Sequence, residues 1–157
     1  MKTLTLSSVI MLAVFLACGG NGNPGDAVIE MFEAIQAGNG ERAVSFMSSS
    51  ALDEMEIQLE TIKLDPEMSA QQLSSMGIEL DADEIPDMTA KDFMIAMISS
   101  PMITGMMQSA EITVGEVTID GDIAQVEVTS SIMDQTETNI IDVVLEEGKW
   151  KVTEFDL

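Results

Sequence analysis

The chain has 157 residues, 28 of them Asp or Glu against six Lys or Arg, a net charge of −22, and neither His nor Tyr. So negative a surface repels nucleic acid and anionic lipid headgroups, and no nucleic-acid partner is expected. The lack of His and Tyr removes the commonest acid/base side chain near neutral pH and the usual phenolic oxyanion donor, and it leaves the many serines without an imidazole to activate them.

Lys2 precedes an uncharged run from Thr3 to Ala17, and the only cysteine of the sequence, Cys18, follows directly. An apolar stretch of about 14 residues falls short of the roughly 18 to 20 that span hydrocarbon, so residues 1–17 read as a cleaved export signal and not as a transmembrane helix. Phe15-Leu16-Ala17-Cys18 resembles the bacterial lipoprotein signal, with Phe15 and Leu16 as a tolerated variant of its outer positions. The resemblance implies lipidation of Cys18, which would hold the protein on a membrane at about 0.8 kcal/mol per buried methylene and leave no free thiol or disulfide. The alternative is an ordinary secretory signal with a cysteine nearby. Gly19, where some bacteria place Asp to retain a lipoprotein at the inner membrane, points to the outer membrane of the cell envelope.

Residues 18–25 comprise Cys18 and a Gly-rich tether with a reach of roughly 15 Å, and residues 26–157 form a single domain. A first amphipathic helix begins at Asp26 with Val28, Phe32 and Ile35 on one face and stops at Gly38. Asn39 caps a short second helix carrying Ala43, Val44, Phe46 and Met47, which ends in the break Ser48-Ser49-Ser50. Leu52, Met55, Leu59 and Ile62 share one face of a third helix that runs to about Lys63, with Ser50 and Asp53 in a capping arrangement. Asp65-Pro66-Glu67 starts a fourth helix, stopped by Gly77. Ile78 to Asp87 is an acidic loop, Thr89 caps a Met-rich helix, and Ser99-Ser100-Pro101 leads into a short turn through Met106 and Met107.

After Ser109 the apolar period changes to two. Ile112 and Val114 share one parity and Val117 and Ile119 the other, which predicts a bulge near Gly115-Glu116. Asp120-Gly121-Asp122 turns the chain into a strand with Ala124, Val126 and Val128 on one side. In the third strand, Thr138 to Leu145, Ile140, Ile141, Val143 and Val144 fill both faces, as expected of a strand covered on both sides or lying in an oligomer interface. Glu147-Gly148 turns into a last strand, Lys149 to Leu157. The expected fold class is α+β, with N-terminal helices packed on one face of a curved four-stranded antiparallel sheet.

Two local patterns, Pro24 to Phe46 and the terminal Gly148-Lys149-Trp150-Lys151-Val152, resemble the nuclear transport factor 2-like superfamily and, within it, a branch of bacterial lipoproteins. The resemblance implies a cone-shaped α+β fold, pairing of copies through the outer sheet face, and a pocket beneath the sheet. In catalytic members a carboxylate, His or Tyr in that pocket handles protons. The Met-rich middle, Leu64 to Gln108, departs from the pattern.

Asp81, Asp83, Glu84 and Asp87 offer hard oxygen ligands for calcium but lack the glycine and distal Glu of an EF-hand, so a solvated acidic loop competes with a metal site. Met94, Met97, Met102, Met106 and Met107 carry thioethers of the kind that bind copper(I), against which stands the use of Met as core filler. Phe32, Phe46, Met94, Met97 and Trp150 are candidate lining of an apolar pocket, or equally core. The expectation is a membrane-anchored, non-enzymatic envelope lipoprotein without cofactor or metal, binding an apolar small molecule, a lipid or an envelope protein, with a homodimer through the sheet face. A divergent cyclase or isomerase using a buried carboxylate is the rival.

Overall fold

In a computed structural model the described residues are 22–132 and 135–153. Residues 1–21, on which the expected export signal, Cys18 and most of the expected tether fall, lie outside them. Six α-helices precede four strands among these residues: α1 (Pro24–Gln36), α2 (Gly40–Val44), α3 (Ser49–Lys63), α4 (Pro66–Ser75), α5 (Ala90–Ile98), α6 (Pro101–Met107), β1 (Glu111–Asp120), β2 (Ile123–Ile132), β3 (Gln135–Glu146) and β4 (Lys149–Val152).

Each helix begins where a side chain can accept an orphan backbone N–H. Asn39 caps α2, Asp65 caps α4 ahead of Pro66, and Thr89 with Asp92 forms a reciprocal capping box on α5. Three starts differ from the sequence expectation. Helix α1 begins at Pro24, capped by Asn23, so Pro24 and Gly25 are buried helix and not tether. Helix α3 begins at Ser49, because Ser48 and not Ser50 supplies the cap. The turn expected through Met106 is the seven-residue helix α6, capped by Ser100. Gly77, at φ +76°, ends α4 in a left-handed turn where Ile78 N–H reaches back to Leu73 C=O at 2.9 Å.

The strands form an antiparallel meander in the order β1-β2-β3-β4. The β1–β2 register slips between Val114 and Val117, the bulge that the change of parity predicts. The inner face of the sheet carries Ala124, Val126, Val128, Val143, Trp150 and Val152, all buried against the helices with Val28, Met31, Ile35, Met94 and Ile98. A second cluster of Leu59, Leu73, Ile78 and Phe93 ties α3, α4 and α5 together, and it draws Ile78 out of the acidic loop into the interior. Among the described residues only one face of β3 is covered. Val143 is fully buried, whereas Ile140, on the opposite face, is 56% exposed.

Candidate functional site

The segment that follows α2 and the last strand meet along one edge of the sheet. Val152 donates its N–H to Phe46 C=O at 2.8 Å and accepts from Ser48 N–H at 2.9 Å, so residues 46–48 run beside the free edge of β4. Helix α3 therefore rises directly from that edge. Its cap, the hydroxyl of Ser48, is fully buried and accepts from Ala51 N–H at 3.1 Å. The next N–H, that of Ser49, is met by the carboxylate of Glu146, 97 residues away in sequence, with both oxygens at 3.1 Å. Glu146 also accepts from the Ser49 hydroxyl at 2.8 Å. A carboxylate in this place complements the positive end of the helix.

These contacts hold the β3–β4 hairpin and the first turn of α3 as two walls of an open groove of about 650 Å³. Met47 and Leu52 give it an apolar floor, and Ser49, Glu146, Glu147, Lys149 and Lys151 stand around it. The hairpin turn narrows to Glu147 and Gly148, with φ values of 51° and 77°, the left-handed pair of a tight turn that carries Lys149 back toward α3. Lys151 donates a hydrogen bond from Nζ to Ser45 C=O.

The residues expected to line a pocket lie elsewhere. Met94 and Trp150 are buried in the main cluster, and Phe32, Phe46 and Met97 are half-buried against it. The structure brings the five together as packing on the helix side of the sheet, and none of them lines the groove. Trp150 sits between Lys149 and Lys151 in sequence but points to the other face of β4. Cys18 lies outside the described residues. Asp81, Asp83, Glu84 and Asp87 are exposed, and Asp81 spends a carboxylate oxygen on Asp83 N–H at 3.0 Å. Among the described residues no three His, Cys, Asp or Glu side chains converge to hold a metal ion. The methionines weighed for copper are spread from the buried Met94 and Met107 to Met102 at 46% exposure. The missed signal was a local one, two of the six basic residues falling at alternate positions of a single short strand.

The displaced pKa values also lie away from the groove. Glu56 is held below the ordinary glutamate value, chiefly by the Ala90 N–H and then by Lys63. Asp92 is held low by the hydroxyl and then the N–H of Thr89.

Fold and groove thus define an α+β domain of helices on an open antiparallel sheet, with an open groove at one sheet edge. Residues 67–154 match the sequence model of the family described as "Putative lumazine-binding", and the chain belongs to that family. The match takes in the hairpin wall of the groove, while Met47, Ser49 and Leu52 lie before it. The chain is also similar to a solved structure from Campylobacter jejuni described as a "Putative NTF2-like transpeptidase". The identity is 14% and the TM-score 0.44, over 85% of this chain and 100% of that one. A comparison with curated proteins finds no match.

Proposed function

We propose that the protein is a small-molecule-binding domain, without catalytic activity of its own, tethered to the bacterial envelope through acylated Cys18, and that its ligand occupies the groove between α3 and the β3–β4 hairpin. The groove carries this reading. Its volume of about 650 Å³ falls within the range of small-molecule sites, and its lining of two apolar and five polar or charged residues suits a ligand with polar groups. The family description makes lumazine, a bicyclic heterocycle, the first ligand to try.

Binding is favoured over catalysis by what the interior contains. The buried polar side chains among the described residues belong to Ser48 and Ser100, both helix caps, and the carboxylates there are exposed or half-buried. A divergent cyclase or isomerase would require one inside. No helix among the described residues is long and apolar enough to cross a membrane, so attachment in this reading rests on the lipid. Pairing of two copies through the outer sheet face is supported by Ile123 and Ile140, 58% and 56% exposed on the face turned from the helices.

Calorimetric titration of the chain with lumazine, alongside native mass spectrometry for co-purifying metabolites, tests the binding site. Leu52→Trp, which fills the groove, should abolish uptake of whichever ligand is found; uptake that survives the substitution would remove the groove from the reading. Cys18→Ala should release the protein from membranes, and a variant that remains bound would refute the anchor.

A further inference from the structure

We propose that the groove selects an anionic amphiphile, whose single carboxylate or phosphate lies against Lys149 and Lys151 and whose apolar body lies on Met47 and Leu52. The inference rests on the reading of the groove as the binding site.

Against 28 acidic residues the chain sets six basic ones, and two of the five among the described residues are held in ion pairs. Arg42 pairs with Glu30 at 3.2 Å, and Lys63 with Glu56 at 3.2 Å and Glu60 at 3.3 Å. Lys91, Lys149 and Lys151 have no such partner among the described residues, and of these Lys149 and Lys151 share one groove, which Glu146 and Glu147 also line. Glu146, opposite Lys149 in the hairpin register, directs its two oxygens to the N–H and hydroxyl of Ser49 and makes no ion pair with either lysine. An ammonium group has three donors. Lys151 uses one on Ser45 C=O, which fixes its stem and leaves two.

The two lysines alternate along β4 and so emerge on one face, about 7 Å apart along the strand. That spacing lets both ammonium groups reach a single anionic head. The floor beside them is apolar, so a ligand that satisfies the whole groove carries both characters. The same chemistry exists in free amphiphiles and in a bilayer surface, and the charge of the chain decides between them. A small anion in the groove is screened from carboxylates beyond about 8 Å at physiological salt. An extended anionic surface would meet the whole net charge of −22. The occupant is therefore a free molecule.

The test follows the ¹³C-methyl signal of Met47 in the full chain during titration with octanoate, octyl phosphate and octanol. Phosphatidylglycerol and phosphatidylcholine vesicles form two further arms. Octanoate and octyl phosphate should shift Met47 at concentrations about five- to tenfold lower than octanol. The double substitution Lys149→Gln, Lys151→Gln should erase that difference, and Lys91→Gln, on α5, should leave it intact. Equal response to octanol and octanoate overturns the anionic selectivity while leaving a ligand site in place. No response to any amphiphile overturns the amphiphile inference, with lumazine uptake separately deciding the fate of the groove. A Met47 shift confined to phosphatidylglycerol vesicles overturns the free ligand in favour of a membrane surface.

Discussion

Glu56 on α3 accepts a hydrogen bond from the N–H of Ala90, the first residue of α5, at 2.8 Å across 34 positions of sequence. The other carboxylate oxygen holds Lys63 Nζ at 3.2 Å. One carboxylate thus caps a helix on a different element and pins the charge at the end of its own. Both partners favour ionised Glu56, whose pKa is lowered, while Lys63 is raised, first by Glu56. For the glutamate, the folded pKa below the unfolded one means that its contribution is complete above the ordinary glutamate range and is lost as pH falls through the folded value. For the lysine, the contribution is complete below the ordinary lysine value and is lost as pH rises through the folded one. Urea titrations across pH should show both losses in the native chain. Glu56→Gln should flatten the acid limb and also the alkaline one, because Lys63 loses its strongest partner. An unchanged pH profile in that variant would remove Glu56 from the account.

Gly40, the first residue of α2, sits against α5 with no room for a methyl group. A Cβ there would lie 2.6 Å from Ile95 O and 2.9 Å from Ile95 Cα, both backbone atoms that cannot turn aside. Gly40→Ala should therefore separate α2 from α5 and destabilise the domain by about 1–3 kcal/mol. Gly121, at the β1–β2 turn, has nothing within 4 Å, but its φ of +63° disfavours a side chain for a different reason. Chemical denaturation of Gly40→Ala against the native chain measures the first effect directly. Stability unchanged would mean that the α2–α5 contact is looser than these distances state.

The elements that sequence reading recovers are those whose signals are local. The parity change around Gly115-Glu116 locates the bulge because a period of two cannot change sides without one, and Asp65-Pro66 starts α4 because cap and proline act within a single turn. The start of α3 is not legible in the sequence because its cap is chosen by tertiary contact. Ser48, Ser49 and Ser50 are equivalent as a string, and what selects Ser48 is its N–H bond to Val152, from the far end of the chain. The groove is hidden for the same reason. Its floor comes from residues 47 and 52 and its cations from 149 and 151, brought together only by the pairing of Met47 with β4. Phe32, Phe46, Met94, Met97 and Trp150 were legible as apolar, but apolar character does not distinguish a pocket wall from the core they help build.

Two residues of α3 make a matched pair. Leu59 is fully buried in the cluster with Leu73, Ile78 and Phe93, whereas Ile57, two positions earlier, is 72% exposed. Leu59→Ala should cost about 2–5 kcal/mol, the lost transfer energy plus that of the cavity. Ile57→Ala should stay within roughly 0.5 kcal/mol of the native chain. Equilibrium unfolding in urea separates the two. Equal costs would mean that Ile57 is covered in solution, and sedimentation analysis of the native chain would then show association.

Ser48 differs from its neighbours in being wholly inside the domain while making every contact its groups require. Its hydroxyl accepts from Ala51 N–H at 3.1 Å and meets the Ser50 hydroxyl at 2.9 Å, and its own N–H reaches Val152 C=O. Ser48→Ala removes the cap and leaves the Ala51 N–H without an acceptor in a site closed to water, a loss of about 1–2 kcal/mol. Ser50→Ala, at an exposed position one step inside the helix, should cost well under half as much. The same pair of variants reads out the groove. The first turn of α3 forms one of its walls, so Ser48→Ala should also broaden the Met47 methyl signal, while Ser50→Ala leaves it sharp. If Ser50→Ala proves the more damaging of the two, the cap belongs to Ser50 after all, and the wall of the groove is set by that residue instead.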